Sequence, residues 1–69
     1  MNRVPVDSSN IASVGYNDNT NTLEIEFNSG HLYQYFDVPK NIYDELLIAD
    51  SVGKYFHNHI KGIYRYARM

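Results

Sequence analysis

The residues of this 69-residue chain that could do chemistry include two histidines and a Gly-Lys pair. His57 and His59 are two positions apart, so on a helix their side chains point about 200° from each other and do not share a metal ion. Gly53 and Lys54 lack the earlier glycine of a phosphate-binding loop, and Tyr55 stands where that loop needs a serine or threonine. No serine is spaced to pair with a base and its orienting group. We therefore expect no enzyme, no metal and no cofactor.

Aromatic residues interleaved with cations provide the second candidate chemistry. The chain has seven tyrosines, and Tyr55, Tyr64 and Tyr66 lie among the basic residues near its end. Single-stranded nucleic acid needs flat faces for its bases and positive charge for its phosphates. The candidate nucleic-acid-binding residues are Lys54, Asn58, Lys61, Arg65 and Arg68. Alternatively, the tyrosines serve mainly as core residues with one polar end.

The charge is unevenly distributed along the chain. Residues 1–50 carry all eight acids against Arg3 and Lys40, a balance of −6, whereas residues 51–69 carry four basic residues and no acid. This basic segment could meet an anion, or it could be a solvated helix face that the acidic residues partly neutralise.

Length and composition indicate one small domain over residues 1–69. The absence of cysteine excludes a disulfide framework and a thiolate metal site. The N-terminal segment MNRVPVDSSN has no apolar signal-peptide core, and the longest aliphatic run, residues 46–49, is far shorter than the ~20 residues that span a bilayer. We expect a soluble cytoplasmic protein without a membrane partner.

The first half of the chain predicts three strands joined by two hairpins. The segments ASVGY (12–16), TLEIEFN (22–28) and HLYQYF (31–36) have strand character, and the middle one alternates apolar residues with Glu24 and Glu26. Residues 17–21 and 28–30 are rich in residues that favour turns. A three-stranded antiparallel meander is therefore expected.

The second half predicts a two-helix hairpin. The first helix starts at Val38-Pro39, because proline suits a first helical turn. Its apolar stripe consists of Ile42, Tyr43, Leu46, Leu47 and Ala49, with Asp44, Glu45 and Asp50 outward.

Ser51 is the expected N-cap of a second helix that runs from Val52 to about Lys61, with Gly62 as a left-handed residue at its end. Its inward residues are Val52, Phe56, His59 and Ile60; its outward residues are Lys54, Asn58 and Lys61. Gly53 is expected to mark a close approach of this helix to the sheet. Residues 63–67 predict a short final edge strand, with a continued helix as the alternative.

The sequence thus predicts an α+β fold: a three-stranded antiparallel meander, a two-helix hairpin and a short C-terminal strand. The residues expected to be buried are Leu23, Ile25, Phe27, Leu46, Phe56 and Ile60.

The register of the second hairpin determines which way Tyr33 and Tyr35 face, because a slip of one residue turns every side chain over. A two-residue turn at Ser29-Gly30 would put both tyrosines on the open face and Gln34 in the core. A three-residue loop, with Gly30 in the left-handed region, would pair Ile25 with Tyr33 and Leu23 with Tyr35. We favour the second, because burying an unpaired glutamine costs about 1 to 3 kcal/mol. Both tyrosines are then mainly structural.

Several short motifs follow one another along most of the chain. They are Val6-Asp7-Ser8-Ser9, Leu23 through Phe27 before Gly30, Tyr33-Gln34-Tyr35, Val38-Pro39, Ala49 through Phe56, Ile60-Lys61 and Tyr64-Arg65-Tyr66. In this series the chain resembles the KTSC domain, a family named after the C-terminal end of some lysyl-tRNA synthetases. The tyrosine-x-tyrosine motif followed by Val-Pro is the most specific part of the resemblance.

The resemblance implies a small stand-alone member of a family of unknown function, for which RNA binding is proposed from its association with a synthetase. Our hypothesis is a non-catalytic binding module that contacts RNA through the second helix and the C-terminal tail. The alternative is a protein-interaction domain that uses Leu32 and Phe36 on the outer sheet face, or an unpaired strand edge.

Overall fold

The computed structural model describes residues 1–69 and has one five-stranded antiparallel sheet and two helices. The strands are β1 (Arg3–Pro5), β2 (Ile11–Asn17), β3 (Thr22–Phe27), β4 (Leu32–Tyr35) and β5 (Tyr66–Arg68). The helices α1 (Lys40–Ile48) and α2 (Val52–His59) lie between β4 and β5 in the sequence. The strand order is β1-β2-β3-β4-β5, so each strand pairs only with its neighbours in the sequence. The α+β class is confirmed.

Four strands precede the helices, so the prediction of three was wrong. The missed strand is β1, which pairs antiparallel with β2 through Arg3 and Gly15, Val4 and Val14, and Pro5 and Ser13. Its three residues include a proline, which lowers the strand signal but is tolerated at a sheet edge. β1 lies close to Gly15, where a Cβ atom would come within 2.9 Å of the Asn2 carbonyl oxygen.

The hairpin between β3 and β4 has the three-residue loop that the sequence favoured. The Phe27 amide donates to the His31 carbonyl (2.9 Å), the Gly30 amide donates to the Phe27 carbonyl (2.9 Å), and Gly30 has φ +93°. Ile25 therefore pairs with Tyr33, and Leu23 with Tyr35. This register turns both tyrosines toward the helices.

The core lies between the sheet and the two helices. Five of the six residues predicted to be buried are buried: Leu23, Ile25, Leu46, Phe56 and Ile60. Phe27, the sixth, is only half-buried, because it lies at the end of β3 and lines an open groove. The other core residues are Ile11, Val14, Tyr35, Val38 and Val52.

Helix α1 begins directly after Pro39, as predicted, but its buried face is narrower than its apolar stripe. Leu46 is buried, whereas Leu47 is 39% exposed. Successive helical residues are about 100° apart, so Leu47 lies at the margin of the contact, near Val4 and Pro5 of β1. Neither helix is long and apolar enough to cross a membrane.

Helix α2 starts at the predicted cap, where Ser51 Oγ accepts a hydrogen bond from the Lys54 amide (3.2 Å). Its predicted outward residues, Lys54 and Asn58, are exposed. The prediction that His59 faces inward was wrong: the helix ends there, His59 is exposed, and its ring lies 4.4 Å from that of Tyr55.

The two glycines of this region and the final strand confirm one prediction and correct two. Gly62 has φ +80°, in the left-handed region as expected. The final strand begins at Tyr66 rather than at residue 63, because the amides of Ile63 and Tyr64 both donate to the Ile60 carbonyl in a turn. Gly53 approaches the β1–β2 loop rather than the sheet, since an added Cβ would lie 3.5 Å from Ser8 Oγ.

Candidate nucleic-acid interface

The outer face of the sheet, which the helices do not cover, carries a polar network. Arg3 Nη1 lies 2.7 Å from Glu24 Oε2, and Arg3 Nε donates to Ser13 Oγ at 3.1 Å. Ser13 Oγ donates to Glu26 Oε1 (2.8 Å), and Gln34 Nε2 donates to Glu24 Oε1 (3.0 Å). The network ties β1 to β3 and β4 across the face and concentrates two carboxylates there.

Glu24 is the buried carboxylate of this network, with 7% of its surface exposed. Burial by itself raises the pKa of a carboxyl group, but hydrogen bonds from Gln34 and Arg3, together with the positive charge of Arg3, outweigh burial and lower the pKa of Glu24. Glu24 therefore remains ionised at neutral pH.

The outer-face apolar residues Leu32 and Phe36 are half-buried. The Arg65 guanidinium lies 5.4 Å from the centre of the Phe36 ring, and Arg65 Nη2 lies 2.7 Å from Asp37 Oδ2. The positive charge of Arg65 is therefore paired with a carboxylate beside Phe36.

On the opposite, helix-covered side, an open groove of about 330 Å³ lies between β3–β5 and the C-terminal end of α2. We call it the aromatic groove. Its aromatic residues are Phe27, Tyr33, Tyr35, Phe56 and Tyr66. Its remaining residues are Asn10, Ser29, His31, Lys61 and Gly62, so no acidic side chain lines it.

The rings of the aromatic groove pack against one another across three strands and a helix. Tyr66 lies 5.6 Å, centre to centre, from both Tyr33 and Tyr35. Phe56 of α2 meets Tyr35 and Phe27 edge to face at 5.5 and 5.6 Å. The register of the β3–β4 hairpin brings Tyr33 and Tyr35 to this side, and the pairing of Tyr35 with Tyr66 adds the third tyrosine.

Tyr35 belongs to both the core and the groove. It is only 4% exposed, yet its hydroxyl makes no hydrogen bond within the chain and is not enclosed. Burial, with smaller contributions from Tyr33 and Tyr66, raises the pKa of Tyr35 to about 12. At neutral pH the groove therefore presents a protonated hydroxyl at its base.

One lysine and one histidine line the groove, and an arginine contacts that histidine. Lys61 lines the groove directly, is exposed and forms no ion pair. An Arg68 guanidinium nitrogen contacts Nδ1 of His31, which is also a lining residue. The pairing of Arg68 with Tyr33 in the sheet fixes this arrangement.

A second, mainly polar cleft adjoins the aromatic groove at Asn10, which lines both. It contains Lys54 and Asn58 from the outward face of α2. Asp7 and Asp50 also line it, so its charge is mixed. No three acidic or histidine side chains come together as metal ligands in the structure.

The predicted site residues thus fall into three places. Lys61 and Arg68 are at the aromatic groove with Tyr33 and Tyr35, Lys54 and Asn58 are in the adjoining cleft, and Arg65 is beside Phe36. Sequence reasoning did not single out Asn10 or Ser29, which come from separate loops and carry no motif. His31 was also missed; its position directly after Gly30, two residues before Tyr33, is the signal that could have placed it at the groove.

Comparison with known proteins gives consistent matches. The KTSC domain matches residues 7–66. An uncharacterised protein of Stutzerimonas stutzeri is 44% identical over 100% of this chain and 99% of its own length. A lysine–tRNA ligase of Nostoc is 43% identical over 91% of this chain, but the match spans only 11% of the ligase. The crystal structure of a KTSC domain protein from Yersinia pestis superposes with a TM-score of 0.96 at 37% identity, covering 99% of this chain and 96% of that one.

Proposed function

The chain belongs to the KTSC domain family, and from this premise we propose that it is a non-catalytic, cytoplasmic module that binds single-stranded RNA. Some of its relatives are segments of lysine–tRNA ligases, enzymes whose name places them with an RNA substrate. That association motivates RNA as the ligand, and the surface of this chain supplies the physical argument.

The observation that carries the proposal is the aromatic groove with Lys61 in its lining and Arg68 against the lining residue His31. Base stacking on aromatic rings and phosphate contacts with lysine or arginine are the two interactions that single-strand binders combine. Here Tyr33 and Tyr66 supply rings, and Lys61 and Arg68 supply charge at the same groove. In the adjoining cleft, Lys54 and Asn58 offer further contacts for a strand that follows α2, although the carboxylates Asp7 and Asp50 also line that cleft.

The distribution of charge favours this side of the molecule over the other. Glu24 and Glu26 lie on the outer face, where two carboxylates share the single guanidinium of Arg3 and disfavour a phosphate chain. The aromatic groove has no acidic lining residue. An RNA strand therefore meets less repulsion at the groove than at the outer face.

The test is a titration of a single-stranded RNA oligomer at several salt concentrations, with Lys61→Ala compared with the parent. The variant should weaken binding and reduce the salt dependence by about one counterion, with a nearly unchanged melting temperature. The matched control is Lys40→Ala, which removes a lysine that is paired with Asp44 on α1 (3.0 Å). Absence of RNA binding at low salt, or equal losses in the two variants, would contradict the proposal.

The second candidate is a protein-interaction domain. It is favoured by the unpaired outer edges of β1 and β5 at the two ends of the sheet and by the partly exposed Leu32 and Phe36. Apolar docking or strand addition depends little on salt, whereas phosphate binding weakens steeply as salt rises. An RNA and lysate pull-down at low and high salt separates the two candidates.

A further inference from the structure

We propose that the aromatic groove holds a single unstacked nucleobase of the bound strand, with the attached phosphate at Lys61 and Arg68. The inference rests on the proposed function and deepens it, because it assigns the base and the phosphate to different parts of one site. It also makes Tyr66 the stacking residue and Tyr35 the polar contact at the base of the groove.

The size of the groove limits what it can hold. Pockets for small ligands measure roughly 300 to 1,000 Å³, and this groove, at about 330 Å³, is near the lower end of that range. It is therefore suited to one planar ring system rather than to several stacked bases. Neighbouring nucleotides would remain outside, along the Asn10 side or in solvent.

Tyr66 has the geometry of a stacking residue. One side of its ring packs against Tyr33 and Tyr35, and the side chain is nevertheless 61% exposed. It lies on a strand that pairs with β4, so the ring is held in place before a ligand arrives. A base that stacks on a preorganised ring incurs little additional ordering cost.

The Tyr35 hydroxyl distinguishes this groove from a purely apolar depression. The Tyr35 hydroxyl belongs to a side chain that is more than nine-tenths buried, lines the groove and makes no hydrogen bond within the chain. The hydroxyl oxygen itself is accessible from the groove, so it is free to bond to an entering ligand. A hydroxyl both donates and accepts, so it can contact the polar edge of a base that enters beside Tyr66.

Positive charge at the groove provides the complement to the phosphate of a nucleotide. Lys61 lines the groove and has no carboxylate partner, and Arg68 contacts His31 at the groove lining. A nucleotide carries a flat apolar face, a polar edge and an anionic phosphate, and the groove offers a complementary group to each of the three.

The experiment compares a short oligouridylate with an abasic ribose-phosphate oligomer of equal length, measured by fluorescence anisotropy. The parent protein should bind the base-bearing oligomer about 10-fold more tightly, since one stacked base contributes about 1 to 3 kcal/mol. Tyr66→Leu should bring this ratio close to one and leave the affinity for the abasic oligomer unchanged. Tyr55→Leu is the matched control, because Tyr55 packs on His59 and bonds to Glu45 away from the groove, and it should keep the ratio.

Equal affinity of the parent protein for the two oligomers would overturn the inference and leave the RNA proposal standing. A ratio that survives in Tyr66→Leu would also overturn it. If neither oligomer binds, the RNA proposal fails. A titration with uridine monophosphate, monitored by NMR, then tests whether the groove binds a free nucleotide. Saturable shifts of the Tyr33 and Tyr66 ring signals would then support a free-nucleotide site, and unchanged signals would reject the inference.

Discussion

At the residue scale, Tyr35 contributes both to the stability of the core and to the candidate site. Its ring packs edge to face on Phe56 and is buried beneath Tyr66, whereas its hydroxyl reaches the aromatic groove. From the sequence alone, core residue and binding residue are competing roles for the tyrosines. The structure shows that the hairpin register permits both, because the inward face of β4 forms the core at Tyr35 and the groove wall at Tyr33.

Two substitutions at Tyr35 separate the ring from the hydroxyl. Tyr35→Ala removes a buried ring and should lower the free energy of unfolding by about 3 kcal/mol, as truncation of core aromatic residues generally does. Tyr35→Phe keeps the ring and loses no intramolecular hydrogen bond, so its stability should change by less than about 1 kcal/mol. Denaturant unfolding measures both, and an alanine variant as stable as the parent would show that the ring is not part of the core.

The hydroxyl of Tyr35 also predicts a pH dependence. Its folded-state pKa is raised from the ordinary value of 10.0 to about 12, so its contribution to stability is complete below pH 10 and is lost as the pH rises toward 12. The parent protein should therefore lose more unfolding free energy over this alkaline range than Tyr35→Phe does. Parallel pH profiles of the two proteins would contradict the raised pKa.

At the element scale, the sequence predicted those elements that local chemistry specifies. Gly30 indicated the loop and register of the β3–β4 hairpin, Pro39 the start of α1, and Ser51 the start of α2. β1 was missed because Arg-Val-Pro carries little intrinsic strand signal, and its pairing depends on Gly15, ten or more residues away. The start of β5 was misplaced because a hydrogen-bonded turn after α2 uses residues 60–64.

The candidate site, too, could be predicted from the sequence only in part. The basic residues and the paired tyrosines could be found in the sequence, since both have a recognisable composition and spacing. The sequence could not show that these residues come together, because the aromatic groove combines the β3–β4 hairpin, the end of α2 and β5. Lys61 and Arg65 are four residues apart in the sequence, with the left-handed Gly62 between them, yet Lys61 lines the groove and Arg65 pairs with Asp37.

Substitutions at Gly15 and Gly53 provide a matched test of the close packing between the N-terminal segment and β2. Gly15→Ala would place a Cβ atom 2.9 Å from the Asn2 carbonyl oxygen, so β1 must shift, and we expect a loss of about 1 to 3 kcal/mol in unfolding free energy. Gly53→Ala would meet only Ser8 Oγ at 3.5 Å, an ordinary contact, and should stabilise α2 by up to about 1 kcal/mol. Thermal unfolding of both variants is the measurement; a harmless Gly15→Ala would contradict the close packing of β1.

At the scale of the whole molecule, the sheet separates two chemically different faces. The outer face carries Glu24 and Glu26 in the network with Arg3, and the helix-covered face opens at one side into the aromatic groove with Lys61. The overall charge of −2 conceals this separation. The local charge of each face, rather than the net charge of the chain, therefore determines where a nucleic acid would bind.

The most direct test of this account is an NMR titration of the isotope-labelled protein with a single-stranded RNA oligomer at low salt. We predict saturable shifts of the Tyr33 and Tyr66 ring signals and of the Lys61 and Gly62 amides, with the Leu32 methyl signals on the outer face unchanged. Shifts confined to Leu32, Gln34 and Phe36, or no shifts at all, would contradict RNA binding at the aromatic groove.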